Sequence, residues 1–209
     1  MITLHHLEFS RSTRVLWLLE ELGVPFELVA YKRTMTFQAP PELKAIHPLG
    51  KSPVIVDDGL TVAESATILR YLEGRYGDGR LIPFRGSAAF WLHEEWLDYV
   101  ESSAAFPIML TVVGGMRGGL PDGLAAFAKN AVALALKHIE AEVAQGPFLM
   151  GEQLTLADIQ MSYLLELALF GGLLTDYPAI KSYLDRLHQQ PALRRAIERG
   201  GPMPPPAKP

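Results

Sequence analysis

Residues 47–65 read HPLGKSPVIVDDGLTVAES and hold the pattern that decides the fold of the first part of the chain. Two short apolar runs, 53–56 and 60–62, flank an Asp-Asp-Gly sequence at 57–59. An Asp-Gly pair between two such runs is a strong signal for a tight turn between antiparallel strands. The stretch therefore predicts a β-hairpin, with one strand on each side of the turn.

A proline opens the first of these runs. Pro53 has no N–H, so it cannot join the normal hydrogen-bond ladder of a central strand. A cis Ser52–Pro53 peptide bond is one resolution, because it turns the backbone groups of Ser52 outward. An extended ligand could then pair with these groups as an added strand does. An ordinary turn proline is the alternative interpretation.

The residues before and after the hairpin complete a mixed α/β pattern. Predicted strands at 2–9 and 26–31 flank a helix at 11–22, which is followed by a glycine. A further helix is predicted at 63–73. Two strands that flank a helix run parallel through a right-handed crossover. The order β-α-β-(α)-β-β-α therefore predicts a small mixed sheet with helices on its faces.

The second half of the chain shows helical patterns without a convincing strand. Helices are predicted at 87–113, 123–144, 155–170, 178–189 and 191–199. The segment between the halves contains glycines, a proline and charges, which is typical of a linker. We therefore predict an α/β domain at 1–75, a linker at 76–86 and an all-helical domain at 87–209. A loose proline-rich tail is predicted from Pro202 onward.

The composition limits the chemistry that the chain can perform. Its 209 residues include no cysteine, which excludes disulfides, thiolate metal sites and a cysteine nucleophile. Its net charge of −4 comes without a basic stripe, and no histidine pair has metal-ligand spacing. The chain does not start like a secretory signal, and the apolar stretch at 161–174 is too short to span a bilayer. We therefore expect a cytoplasmic protein with no metal, nucleic-acid or membrane partner.

Polar side chains gather at two predicted helix starts. Ser10 and Ser12 lie where the first strand meets the first helix, and Glu64 and Ser65 open the helix after the hairpin. Helix capping explains both groups without any ligand. The functional interpretation is that the first group stabilises an anion such as a thiolate. The second group would bind the ammonium and carboxylate of an α-amino acid end.

A further helix start, in the second half, has a structural interpretation. Thr155 followed by Asp158 is the pattern of a capping box, with a hydroxyl before the helix and an acid at its third position. We interpret this box as a folding device worth about 1 kcal/mol.

The segments 10–23, 47–56 and 63–72, in this order and spacing, resemble the glutathione transferase superfamily. The resemblance covers nearly the whole chain, including the segment 155–159. It implies a thioredoxin-like first domain and an all-helical second domain. The chain looks like the bacterial and fungal members that carry a serine at the start of the first helix. The implied activity is transfer of alkyl or aryl groups to glutathione, as used in detoxification.

The resemblance implies a role for each polar residue of these segments. Ser10 matches the hydroxyl that hydrogen-bonds the sulfur of glutathione, the co-substrate, and Ser12 and Arg11 remain open as alternatives. The backbone at Ser52 and Pro53 matches the contact to the cysteinyl part. The remaining matches are Glu64 and Ser65 for the γ-glutamyl amine and carboxylate, and Lys51 for the glycyl carboxylate.

The second substrate is implied to be a small, largely apolar electrophile. Its pocket is expected to be lined by Phe9, Phe106, Met109 and Val113. The resemblance also implies a homodimer. The first strand lacks the tyrosine of some classes, and the missing cysteine excludes thiol-transferase chemistry, so we expect a hydroxyl-assisted thiolate. A glutathione-binding protein without turnover, or a glutathione-dependent peroxidase, dehalogenase or isomerase, would use the same residues.

Overall fold

The computed structural model describes residues 1–204, which form two compact units. The first unit contains Met1–Arg80 together with the segment from Gln189 onward, and the second contains Leu81–His188. Residues 205–209, the end of the predicted proline-rich tail, lie outside the described part of the chain.

The first unit contains the predicted mixed sheet. Its elements are β1 (Ile2–Leu7), α1 (Ser12–Leu22), β2 (Phe26–Tyr31), α2 (Leu43–Ile46), β3 (Val54–Asp57), β4 (Leu60–Ala63) and α3 (Ser65–Tyr76). The strand order is β2-β1-β3-β4. β1 is parallel to β2 and antiparallel to β3, and β3 is antiparallel to β4. The parallel crossover and the hairpin predicted from the sequence are both confirmed.

Apolar side chains hold the sheet between its helices. Leu4 of β1 pairs in register with Ile55 of β3, and both are fully buried. Leu16 of α1 and Leu69 of α3 are also fully buried. Each buried leucine or isoleucine contributes roughly 1.5–3 kcal/mol relative to an exposed one. Gly23 ends α1 with φ +68°, a left-handed conformation that glycine adopts without steric cost.

The second unit consists mainly of helices, as predicted. They are α4 (Ala88–Tyr99), α5 (Ala105–Met116), α6 (Asp122–Val143), α7 (Leu156–Phe170) and α8 (Pro178–His188). The helix predicted at 87–113 is one helical path in which a π-helical turn, Val100–Ala104, joins α4 to α5. Pro107 has no N–H to donate to the carbonyl of Ser103, four residues earlier, so the regular α-helical ladder is interrupted next to this turn.

The helical path at 88–116 is long and apolar enough, by length and composition, to cross a membrane. It lies outside the apolar stretch at 161–174, which is too short to span a bilayer. Core helices of soluble bundles meet the same criterion, and Leu97, Val100 and Ile108 on this path are fully buried inside the protein. The expectation that the chain has no membrane partner stays a prediction.

The last helix, α9 (Pro191–Gly200), belongs to the first unit. Its Leu193 and Ala196 are fully buried, and Arg195 donates to the carboxylate of Glu20 on α1 at 2.9 Å. The sequence placed this helix in the predicted domain 87–209, because a helical pattern does not indicate which unit a helix packs with, and the domain bounds stay a prediction. In the described part of the predicted loose tail, Met203 is buried and Pro202 is exposed. The predicted linker at 76–86 stays a prediction.

Candidate active site

Three serines meet around one peptide segment at the end of β1. The N–H of Leu7 donates to Oγ of Ser12 at 3.2 Å and to Oγ of Ser52 at 3.1 Å. The carbonyl of Leu7 accepts from the hydroxyl of Ser10 at 2.7 Å. β1 ends at Leu7 rather than at the predicted Phe9, which turns the chain with φ +52°. The structure therefore brings together the candidate residues for the sulfur and for the cysteinyl backbone.

The two candidate hydroxyls differ in burial. Ser12 begins α1 and is 0% exposed, and its Oγ lies 2.8 Å from Nδ1 of His6 and 2.8 Å from Oγ of Ser10. Ser10 precedes the helix and is 5% exposed. Ser10 is therefore the more accessible hydroxyl, at the end of α1 where the helix dipole favours negative charge. Arg11, the third candidate, is half-buried at the N-cap position of α1.

The segment before β3 is fastened to the end of β1. The Ser52–Pro53 peptide bond is cis, which was one of the two interpretations of this proline. The hydroxyl of Ser52 donates to the carbonyl of His5 at 2.8 Å. Pro53 is buried and β3 begins only at Val54, so the proline lies outside the hydrogen-bond ladder. Lys51 is exposed, so an anion can reach its ammonium group.

Glu64 lies in the left-handed region of backbone conformation, with φ +70° and ψ 122°. This conformation is strained for a residue with a side chain, at a cost of about 1–3 kcal/mol, and such residues cluster at ligand sites. Val54 pairs with Ala63, so Pro53 and Glu64, which flank this pair, lie at the same end of the hairpin. Ser65 begins α3, whose first N–H groups have no partners within the helix.

The candidate residues thus lie along one edge of the sheet. The end of β1, the start of β3 and the end of β4 meet there, because neighbouring strands of these three are antiparallel. α1 and α3 both begin at this edge, directly after β1 and β4. The edge therefore combines two helix N-termini and several hydroxyls with the carboxylate of Glu64. This combination suits a ligand that carries both ammonium and anionic groups.

The candidate residues for the second substrate lie in both units. Phe9 is half-buried in the first unit, and its ring stacks on that of Phe37 with centroids 6.2 Å apart. Phe106 and Val113 of α5 are 61% and 38% exposed, and Met109 is half-buried. The spacing of these three residues places them on one face of α5. Their role in a pocket stays a prediction.

Arg33 is a residue of this region that sequence reasoning missed. Its guanidinium donates to the carbonyls of Glu8 at 3.1 Å, Phe9 at 2.8 Å and Phe37 at 3.0 Å. Its backbone N–H also donates to the carboxylate of Glu8 at 2.7 Å. The arginine thereby fixes the turn that leads into Ser10. A lone arginine in a loop gives no sequence signal for this role.

Replacement of Arg33 with glutamine should loosen this turn. We expect kcat/KM for glutathione to fall about tenfold, equivalent to about 1.4 kcal/mol, because Ser10 is no longer held in position. The measurement is steady-state kinetics with varied glutathione, alongside urea unfolding. Lys32→Gln, at the exposed neighbouring residue, is the matched control and should leave kcat/KM unchanged. Equal effects of the two substitutions would contradict the role of Arg33.

Comparison with known proteins agrees with this geometry. Residues 1–74 match the family described as "Glutathione S-transferase, N-terminal domain", and residues 122–199 match "Glutathione S-transferase, C-terminal domain". The chain is 35% identical to Glutathione S-transferase 3 of Schizosaccharomyces pombe, over 95% of this chain and 88% of the relative. It is 30% identical to Glutathione S-transferase 1 of Saccharomyces cerevisiae, over 95% of each chain.

A solved structure extends the similarity to three dimensions. The crystal structure of a glutathione S-transferase from Actinobacillus pleuropneumoniae superposes with a TM-score of 0.89 at 38% identity. The superposition covers 97% of this chain and 95% of the other. The thioredoxin-like first domain and the helical second domain are those of this class of transferases. The chain belongs to the glutathione S-transferase family.

Proposed function

We infer that this transferase binds glutathione along the sheet edge and activates its thiol as a thiolate for attack on small, apolar electrophiles. The observation that carries this proposal is the position of the Ser10 hydroxyl, 2.7 Å from the carbonyl of Leu7 at the N-terminal end of α1. A sulfur beside this hydroxyl is close to the cis Ser52–Pro53 bond, since Ser52 also bonds to Leu7.

The polar groups along the edge match the parts of glutathione in order. The exposed carboxylate of Glu64 accepts from the γ-glutamyl ammonium, and Ser65 with the first N–H groups of α3 donates to the neighbouring carboxylate. The backbone of Ser52 pairs with the cysteinyl residue as an added strand does. The exposed ammonium of Lys51 is available to the glycyl carboxylate. Pro53 is part of the proposed site because it forms the cis peptide bond with Ser52.

The chemical requirement at the sulfur is modest. A free thiol has a pKa near ~8.5 and is mostly protonated at neutral pH, whereas a helix N-terminus with hydrogen-bond donors lowers that pKa. A decrease of about two units corresponds to roughly 2.7 kcal/mol of preferential stabilisation of the thiolate. Ser10 needs only to donate a hydrogen bond to the sulfur. The burial of Ser12 argues against it as the direct contact, and Arg11 adds positive charge nearby.

The proposal also covers the second substrate, the oligomeric state and the location of the protein. Phe9, with Phe106, Met109 and Val113 of α5, provides apolar surface for the electrophile, and proximity to the thiolate accelerates the reaction. A homodimer, a cytoplasmic location and a role in detoxification follow from the family resemblance. The reaction requires glutathione as co-substrate and no metal.

Glu64→Gln should weaken glutathione binding by roughly 10- to 100-fold, because a hydrogen bond to a charged group contributes about 1.5–3 kcal/mol. Titration calorimetry with glutathione and with an analogue that lacks the α-amino group measures this effect. The wild-type protein should bind the analogue more weakly than glutathione by the same factor. The variant should bind the two ligands with equal affinity.

Glu27→Gln, at an exposed acid of β2, is the matched control and should bind glutathione as the wild type does. The proposal fails if the wild-type protein does not bind glutathione. If the Glu64→Gln variant still binds glutathione more tightly than the analogue, only the assignment of Glu64 fails and the rest of the proposal stands.

A further inference from the structure

A buried chain of hydrogen bonds leads inward from the candidate catalytic hydroxyl. Oγ of Ser10 lies 2.8 Å from Oγ of Ser12, which lies 2.8 Å from Nδ1 of His6. The other ring nitrogen of His6, Nε2, lies 2.8 Å from the carbonyl oxygen of Gly200. The residues Ser10, Ser12 and His6 are 5%, 0% and 1% exposed, so this chain of hydrogen bonds lies almost entirely inside the first unit. None of these three contacts is a helix-capping bond, because a cap accepts from a backbone N–H.

The last contact fixes the tautomer of His6. A carbonyl oxygen can only accept, so Nε2 carries the hydrogen that bonds to Gly200. Nδ1 of the neutral ring is then an acceptor and takes the hydrogen of the Ser12 hydroxyl. The single hydrogen of Ser10 is consequently directed inward, to Oγ of Ser12 or to the carbonyl of Leu7 at 2.7 Å. In this state Ser10 offers no hydrogen to a ligand.

The packing around Gly200 favours a close contact between its carbonyl and the imidazole of His6. A Cβ added at this last residue of α9 would lie 2.9 Å from Nε2 of His6 and 2.6 Å from the side chain of Leu16. Only glycine therefore allows the helix end to approach the imidazole so closely. The contact joins residues that are 194 positions apart in the sequence.

The groups around His6 act on its pKa in opposite directions. Burial lowers the pKa of His6 below its usual value, and the carboxylate of Glu8 and the bond to Gly200 act in the opposite direction. His5, the other titratable group of β1, bonds to the hydroxyl of Tyr31 instead. On α9, Arg199 precedes Gly200 and is paired with Glu20 of α1.

We propose that His6 is a positioning residue that receives the thiol proton of glutathione through Ser10 and Ser12. The inference rests on the proposed function, since it needs the sulfur beside Ser10. The S–H bond breaks, its electron pair stays on sulfur and its proton passes to Oγ of Ser10. The proton of Ser10 passes to Oγ of Ser12, and that of Ser12 forms a new N–H bond at Nδ1 of His6. The products are a thiolate and an imidazolium, with no other reactant.

The same transfer reverses the two hydrogen bonds that join Ser10 to Ser12 and Ser12 to His6, while Nε2–H of His6 still donates to the carbonyl of Gly200. Nδ1–H of His6 then donates to Ser12, the Ser12 hydroxyl donates to Ser10, and the Ser10 hydroxyl donates to the sulfur. The thiolate thus forms together with the donor that stabilises it. The two opposite charges, separated by the two serines, stabilise each other in the buried chain.

The number of protons released per thiolate formed tests this proposal. Binding heats measured in buffers of different ionisation enthalpy give the protons released, and ultraviolet absorbance gives the thiolate formed. We expect the wild type to release almost none per thiolate, because His6 keeps the proton. S-methylglutathione, which has no thiol proton, should bind without proton release to any of the proteins.

Two variants break the chain at different points and should each release about one proton per thiolate, at a pH at which their bound thiol ionises. Ser12→Ala removes the link, and His6→Gln removes the base while its amide N–H can still donate to the carbonyl of Gly200. His5→Gln is the control and should behave as the wild type. Urea unfolding checks that each variant is folded.

Release of about one proton per thiolate by the wild-type protein would overturn the proposal. Equal release by the wild type and Ser12→Ala would also overturn it. Neither result touches the proposed function, which fails only if glutathione does not bind or is not ionised. The NMR signals of the imidazole nitrogens of His6 provide a second readout. They should change to those of an imidazolium when glutathione binds, but not when S-methylglutathione binds.

Discussion

Ser10→Ala is expected to raise the pKa of the bound glutathione thiol by about two units and to lower conjugation at neutral pH by roughly 100-fold. The hydroxyl is the hydrogen-bond donor nearest to the proposed sulfur position, and alanine leaves the thiolate with only the field of α1. Glutathione binding should persist, because the contacts proposed for Glu64 and Ser65 at the γ-glutamyl end do not involve Ser10. The loss should therefore appear in kcat rather than in KM.

The pH dependence of this effect makes the test specific. A variant with a raised thiol pKa regains activity as the pH rises, since the thiolate then forms without the hydroxyl. The measurements are thiolate absorbance of the glutathione complex and kcat as functions of pH. Ser12→Ala is the informative comparison, because it keeps the donor to the sulfur and should lose less than tenfold. If the thiolate is lost in Ser12→Ala and retained in Ser10→Ala, Ser12 rather than Ser10 is the hydrogen-bond donor to the sulfur.

Local sequence signals were sufficient for most of the first unit. The Asp-Gly turn at 57–59 and the glycine at 23 each require a particular backbone conformation, so the hairpin and the end of α1 follow from neighbouring residues alone. The position of α9 did not follow, because its contacts with α1 involve residues more than a hundred positions away. The π-helical turn before Pro107 was also missed, although a proline in the interior of the predicted helix 87–113 is itself a signal for a local break.

The candidate site divides in the same way. Ser10, Ser52 and Glu64 could be proposed because each stands next to a turn or a helix start, where polar side chains have a stated local purpose. The hairpin register explains why Ser52 and Glu64 lie at the same end of β3 and β4, whereas the position of Ser10 depends on the pairing of β1 with β3. The bond between His6 and Gly200 depends on tertiary packing, and no local pattern indicates it. The site residues themselves stay predictions until a ligand is bound.

The carboxylate of Asp158 lies at the centre of a buried hydrogen-bond network in the second unit. It is fully buried and accepts four hydrogen bonds: from Leu149 N–H at 2.7 Å, Thr155 N–H at 2.8 Å, the Thr155 hydroxyl at 3.0 Å and the Tyr183 hydroxyl at 2.8 Å. Burial raises the pKa of Asp158, and the four donors oppose that shift. The predicted capping box therefore ties together the loop before α7, the helix start and α8.

Asp158→Ala is expected to destabilise the protein far more than the loss of an ordinary helix cap. Each buried donor left without an acceptor costs about 1 kcal/mol or more, so the four together cost on the order of 4 kcal/mol. An exposed capping box would cost only about 1 kcal/mol. For a chain of this size, each kcal/mol lowers Tm by about 2–4 °C. The measurements are urea unfolding at equilibrium and the thermal transition.

Tyr183→Phe distinguishes the contribution of the buried hydrogen-bond network to stability from that of the helix cap. It removes one donor and leaves the carboxylate with three, so it should cost about 1 kcal/mol. Asp185→Ala, at an exposed acid of α8, should change the free energy of unfolding by less than about 0.5 kcal/mol. If Asp158→Ala costs no more than Tyr183→Phe, the four contacts do not act together. The aspartate would then be only a helix cap, because the remaining donors would have found water.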